Sequence, residues 1–129
     1  MNSKTLPDWA EAIRRQREPL VALRRDFHRH AELSMQERRT ADVIATRLRQ
    51  AGLEVRTGVA GTGGVGILAG EKPGHTGMYR ADTDALPLEE TQDRPYASEN
   101  PGAMHACGHD GHTAIAITLA EILAARRRE

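Results

Sequence analysis

Five side chains that bind metals well stand close together in the segment MHACGHDGHTA, residues 104–114. They are His105, Cys107, His109, Asp110 and His112. A thiolate and an imidazole suit a borderline divalent ion such as zinc. Because Cys107 and His109 lie two positions apart just before a predicted helix, both side chains can point to one side of the chain. The spacing makes these two candidate metal ligands, and it leaves the other three as possible ligands or orienting partners.

Other roles for the cysteine remain open on spacing alone. Cys107 is the only cysteine of the chain, and a lone cysteine is often a small buried apolar residue. A nucleophilic cysteine activated by His109 is a further alternative, although no third group that would orient the histidine is evident. A structural zinc site also needs four ligands, which a single Cys-x-His pair does not provide.

A second candidate lies in YRADTDALP, residues 79–87, where Asp82 and Asp84 follow a predicted strand. Ligands in open α/β sheets bind outside the carboxyl ends of strands, so either aspartate could bind a metal or orient a histidine ligand. The alternative is that each aspartate caps a turn. His28 and His30 fall near a predicted helix end, where the helix dipole favours them, and we expect structural roles for both.

The periodicity of apolar residues predicts helices over residues 8–30, with a kink or a new start near Glu18 caused by Pro19, and over about 110–127. Between them, SMQE at 34–37 predicts a capping box in which Ser34 and Glu37 start a helix that runs to Ala51 and ends at Gly52. Three short segments are predicted to be strands: LEVRT, GGVGILAG and TGMYRAD. The glycines of GTGGVG predict a turn between strands. We expect a long irregular loop over residues 83–104. This order indicates an α/β fold with short strands under helical cover.

Composition excludes several classes of protein. The chain has 18 basic and 18 acidic residues and 3% aromatic residues, so no net field or stacking surface favours nucleic acid or a membrane. The run Arg126–Arg128 is typical of the last turn of a helix. One cysteine excludes an internal disulfide, and no secretory signal or apolar stretch of bilayer length is visible. We expect a cytoplasmic protein.

Four segments occur in the order and spacing of the M20 family of metallopeptidases: RRDFHRHAELSMQE, VAGTGGVGILAG, YRADTDALPLEE and PGAMHACGHDGHTA. The chain most resembles the amidohydrolase branch, with its hippurate hydrolases, N-acyl-amino-acid amidohydrolases and indole-acetyl-amino-acid hydrolases. The resemblance implies that Cys107 and His109 are two ligands of a two-metal site for Zn or Mn. It implies a supporting role for Asp84, whereas Asp82 falls where other branches carry a histidine ligand.

In such enzymes, two metals polarise an amide carbonyl and activate a water, and a glutamate acts as general base. The resemblance therefore implies hydrolysis of N-acyl amino acids by a protein that is commonly homo-oligomeric.

The resemblance also implies that residues 1–129 form the N-terminal part of a three-layer catalytic domain that is incomplete at its C-terminus. The catalytic glutamate, its neighbouring metal-binding glutamate, two further histidine ligands and a dimerisation domain are expected beyond Glu129. We therefore expect the 129-residue chain to be inactive alone. The alternative is a non-catalytic metal-binding or interaction module, such as a truncated paralogue.

Overall fold

The computed structural model describes residues 6–129. It contains four helices, α1 (Leu6–Arg15), α2 (Arg17–Arg29), α3 (Arg38–Gln50) and α4 (His109–Ala125), and two strands, β1 (Glu54–Val59) and β2 (Gly63–Ile67). The predicted break near Glu18 is confirmed, since α2 starts anew at Arg17. Pro19 then lies in the first turn of α2. Backbone amides in this turn have no partner within the helix, so the amide proton that proline lacks costs no helical hydrogen bond.

The capping box predicted at Ser34 and Glu37 is wrong. Helix α3 begins at Arg38 without a hydrogen bond from the side chain of its N-cap residue, Glu37. Glu32 caps the helix instead, because its carboxylate accepts from the amides of Arg39 at 3.0 Å and Thr40 at 2.7 Å. The chain turns at Met35, with φ 64°, and this turn lets a residue further upstream reach the free amides.

The carboxylate of Glu37 is used elsewhere, since it accepts from the hydroxyl of Thr62 at 2.7 Å. The other end of α3 follows the prediction. Gly52 adopts φ 87°, and the amide of Leu53 returns to the carbonyl of Leu48, as expected for a helix that ends at a left-handed glycine.

Strands β1 and β2 form an antiparallel hairpin in which Glu54 pairs with Ile67, and the pairing shifts between Thr57 and Val59. The glycine-rich segment supplies the turn and β2, as predicted. The third predicted strand, residues 76–82, is wrong: within residues 6–129 it pairs with no other strand, and Met78 is 94% exposed. A strand requires a neighbour that accepts and donates its backbone hydrogen bonds, and none lies beside this segment in the described chain.

The core is built mainly where α4 meets α2 and α3. Leu23 and Phe27 of α2 pack with Ala114 and Ile117 of α4, and all four are buried. A second cluster joins α3, the residue just before β1 and the end of α4 through Leu48, Leu53 and Ala124. Helix α4 is therefore packed against its neighbours along its length. This packing fixes the position of its first turn and of residues 104–108, which precede it.

The loop over residues 83–104 is tied down at both ends. Ala85 pairs with Leu33, and Leu86 pairs with Met104, each through an isolated β-bridge. Both ends of the loop thus lie close to the start of α4.

The basic run follows α4 rather than forming its last turn. The helix ends at Ala125, and Arg126 is its C-cap residue, so the predicted end at 127 is two residues late. The guanidinium of Arg126 binds Asp8 at 2.8 Å and lies over the ring of Trp9. In the part of the chain that the structure describes, no helix is both long and apolar enough to cross a membrane.

Candidate metal centre

The start of α4 presents the two predicted ligands. Gly108 adopts φ 84°, a left-handed conformation that suits glycine, and the helix begins at the next residue, His109. Cys107 lies just before this bend and is exposed, so the alternative of a buried apolar cysteine is wrong. The side chain of His109 is 15% exposed. Both side chains belong to one bend at the N-terminus of the helix.

Asp84 orients His109. The Nδ1 atom of His109 lies 2.9 Å from the backbone carbonyl oxygen of Asp84 and 2.9 Å from its carboxylate Oδ1. Because a carbonyl oxygen only accepts, Nδ1 carries a proton, and in the neutral ring Nε2 then keeps its lone pair. Histidine ligands of metals characteristically donate their other ring N–H to a carboxylate or carbonyl in this way. The donor set therefore fits a divalent metal bound at Nε2.

The remaining candidates contribute differently. The ring of His112 is exposed and its centroid lies 5.6 Å from that of His109. The carboxylate of Asp82 pairs with Arg80, and its backbone carbonyl accepts from the hydroxyl of Thr113 at 3.1 Å. Among residues 6–129, no group of three His, Cys, Asp or Glu side chains is arranged to hold an ion.

A buried polar network lies directly behind the candidate ligands. Asp110, 1% exposed, follows His109 in the first turn of α4, and its Oδ2 lies 2.7 Å from Nδ1 of His28 on α2. The Nε2 atom of His28 lies 3.1 Å from Oε1 of Glu90 in the long loop. Arg24 of α2 also reaches Oδ2 of Asp110, at 2.8 Å.

Sequence reasoning missed this network, because its members are separated by 62 and 82 positions. It assigned His28 to the helix dipole, and no spacing rule connects a helix end with a loop so far along the chain. Only the three-dimensional structure shows that both ring nitrogens of His28 are buried against the carboxylates of Asp110 and Glu90.

Burial and hydrogen bonding shift the pKa values of Glu90 and of His105, which lies beside the network. Burial alone would raise the pKa of Glu90, but hydrogen bonds from the Ser98 amide and the His28 ring bring that pKa below its usual value. Burial lowers the pKa of His105. Both ring nitrogens of His105 are buried, and neither has a hydrogen-bond partner within the described chain.

The chain is similar to known peptidases and amidohydrolases. The model of peptidase family M20/M25/M40 matches residues 78–129, which include Asp84 and the start of α4. The Bacillus subtilis protein YhaA, which carries an amidohydrolase name, is 48% identical over 87% of this chain and 28% of its own length. An N-acyl-L-amino acid amidohydrolase of Geobacillus stearothermophilus is 43% identical over 84% of this chain and 29% of its own length.

A solved structure has the same fold. The Bacillus subtilis YXEP protein, described as a dinuclear metal-binding peptidase of the M20 family, aligns with a TM-score of 0.80 and 41% identity over 85% of this chain and 31% of its own. The chain thus spans about a third or less of the length of these relatives. In sequence and in fold, the chain is therefore homologous to the M20 family of peptidases and amidohydrolases.

Proposed function

We propose that this chain supplies part of the metal centre of a metal-dependent amidohydrolase that acts on N-acyl amino acids. The observation that carries the proposal is the contact between His109 and Asp84, which leaves Nε2 of the neutral ring available to a metal, two positions after an exposed Cys107. The names of the relatives support the reaction class, and the dinuclear peptidase supports a site for divalent cations.

In this proposal, Cys107 and His109 hold a divalent metal, Zn²⁺ or Mn²⁺, and Asp84 fixes the ring of His109. When bound, a pair of such metals polarises the scissile amide carbonyl and lowers the pKa of a bound water. The chain itself contributes ligand atoms, their orientation and the rigid start of α4.

We assign no residue of this chain as the general base, because the family resemblance expects that glutamate beyond Glu129. The 129-residue polypeptide is accordingly expected to bind metal without hydrolysing substrate. With balanced charge, its expected partners are small acylated amino acids rather than nucleic acid. A cytoplasmic location and a homo-oligomeric state are parts of the same proposal.

Calorimetric titration with Zn²⁺ tests the ligand assignment. Cys107→Ser and His109→Gln should each remove most of the heat of binding, because each deletes one of two ligands. His75→Gln is the matched control, since His75 is exposed and lies outside the candidate metal centre. Equal heats from the wild type and Cys107→Ser would refute the role of the thiolate.

A hydrolysis assay tests the activity. The chain alone, with added Zn²⁺ or Mn²⁺, should not cleave N-acetyl or N-benzoyl amino acids. Turnover that disappears in Cys107→Ser would show that the polypeptide is catalytically complete, contrary to this proposal.

A further inference from the structure

The polar network behind α4 has a geometry that the metal-ligand assignment does not use. It consists of His28, Asp110 and Glu90, and we call these three residues the buried clamp. We propose that His28 is a positioning residue for the metal centre: through Asp110 it fixes the first turn of α4, so that His109 keeps its contact with Asp84. This inference rests on the proposed function.

Asp110 anchors the start of α4 to α2. One carboxylate oxygen, Oδ1, accepts from the amide of Gly111 at 2.8 Å within the same helical turn. The other, Oδ2, meets Nδ1 of His28 at 2.7 Å and Nε of Arg24 at 2.8 Å. A carboxylate satisfied on both oxygens and buried from water has little freedom to move, and it belongs to the residue next to His109.

Glu90 anchors the long loop to the same imidazole. Its Oε1 lies 3.1 Å from Nε2 of His28, and its Oε2 accepts from the amide of Ser98 at 2.7 Å. The same loop carries Asp84, the partner of His109, six residues before Glu90. One ring on α2 therefore holds both the helix turn that carries the ligand and the loop that carries its orienting acid.

The contact between His109 and Asp84 is sensitive to small movements. Both of its distances are 2.9 Å, and hydrogen bonds weaken steeply once donor and acceptor separate or tilt. Ligands must be held within about 0.5 Å of their working positions to act well. The link from His28 to Asp110 supplies this restraint on the side of His109, whereas core packing restrains only the helix as a whole.

Two substitutions at position 28 separate the arms of the clamp. In His28→Asn, the amide nitrogen replaces Nδ1, which faces Asp110. In His28→Gln, the amide nitrogen replaces Nε2, which faces Glu90. We expect His28→Asn to keep His109 in place and His28→Gln to release it.

The measurement is the tautomer of His109 in the metal-free chain, read from nitrogen-15 shifts and couplings of its ring above the pH at which histidines are charged. The wild type and His28→Asn should show a single Nδ1–H form, because Asp84 accepts from Nδ1. His28→Gln should show a mixture with the Nε2–H form. A single Nδ1–H form in His28→Gln would overturn the proposal.

A control excludes a merely structural role. Leu53→Ala removes packing in the cluster at the far end of α4, so it should lower the melting temperature while leaving the Nδ1–H form of His109 unchanged. If it also produces the mixture, general loosening explains the result and the positioning role is refuted. If His28→Gln does not fold, Asp110→Asn tests the same link, and an unchanged tautomer there overturns the proposal.

Zinc titration of the same proteins adds a second reading. His28→Gln should lower the affinity for Zn²⁺ by about 10- to 100-fold, the usual effect of losing a residue that orients a ligand. If the wild type binds no Zn²⁺, the proposed function fails, while the tautomer still decides whether His28 positions His109.

Discussion

His109 and Asp84 lie 25 positions apart in the sequence, yet Nδ1 of the histidine is 2.9 Å from both the backbone oxygen and the carboxylate of the aspartate. This double contact fixes the tautomer of His109 and the direction in which Nε2 points. It assigns different roles to two aspartates that lie two positions apart in the sequence, because Asp82 pairs with Arg80 instead.

Asp84→Asn should lower the affinity for Zn²⁺ by about 10- to 100-fold, because a neutral amide is a weaker acceptor for Nδ1–H and makes the ring a poorer ligand. Isothermal calorimetry measures this change. Asp82→Asn is the matched control on the same segment and should alter the affinity little. Equal losses from both substitutions would mean that charge near the site, rather than the contact with His109, controls binding.

Glu32→Gln should destabilise the fold by about 1 kcal/mol, the typical value of a helix cap, because it weakens the hydrogen bonds to the amides of Arg39 and Thr40. Ser34→Ala should change the free energy of unfolding by less than about 0.5 kcal/mol, as surface substitutions usually do. Urea denaturation gives both values. A larger loss from Ser34→Ala than from Glu32→Gln would restore the capping box that the structure replaces.

Substitution of two glycines at the start of α4 should have opposite effects. Gly108→Ala forces a Cβ into a left-handed backbone with φ 84° and should destabilise by about 1 kcal/mol. Gly111→Ala lies inside the helix, where the added Cβ meets no atom outside the local helix within 4 Å, and it should stabilise by up to about 1 kcal/mol. Thermal unfolding followed by circular dichroism measures both. Stabilisation by Gly108→Ala would contradict the bend before His109.

Stability should fall in acid through Glu90. Its pKa is lower in the folded chain than its usual value of 4.5, so the ionised form stabilises the fold. That contribution is fully present above about pH 4.5, the unfolded value, and is lost as the pH falls through the folded pKa. The difference in unfolding free energy between wild type and Glu90→Gln should therefore shrink below that pH.

Denaturant titrations at several pH values measure this difference. Glu18→Gln, at an exposed position of α2, controls for the loss of one negative charge. A difference for Glu90→Gln that stays constant down to low pH would show that the ionised form of Glu90 does not stabilise the fold.

The sequence by itself determined the helices, because each helix buries one face and its apolar residues therefore recur with the helical period. It also determined the hairpin, where glycines permit the turn, and the end of α3 at Gly52. It singled out Cys107 and His109 as candidate ligands, since their chemistry and spacing are local properties of one segment. The family resemblance drew on the same local strings.

Only the tertiary structure decided which acid caps α3, which aspartate holds His109, and what His28 contacts. Glu32 replaced Ser34 because a turn at Met35 brought a distant carboxylate to free amides. His28 met Asp110 and Glu90 because α2 packs against α4 beneath the long loop. The segment at 76–82 is predicted to be a strand, but strand pairing depends on a neighbour, and neighbours are set by the folding of the whole chain.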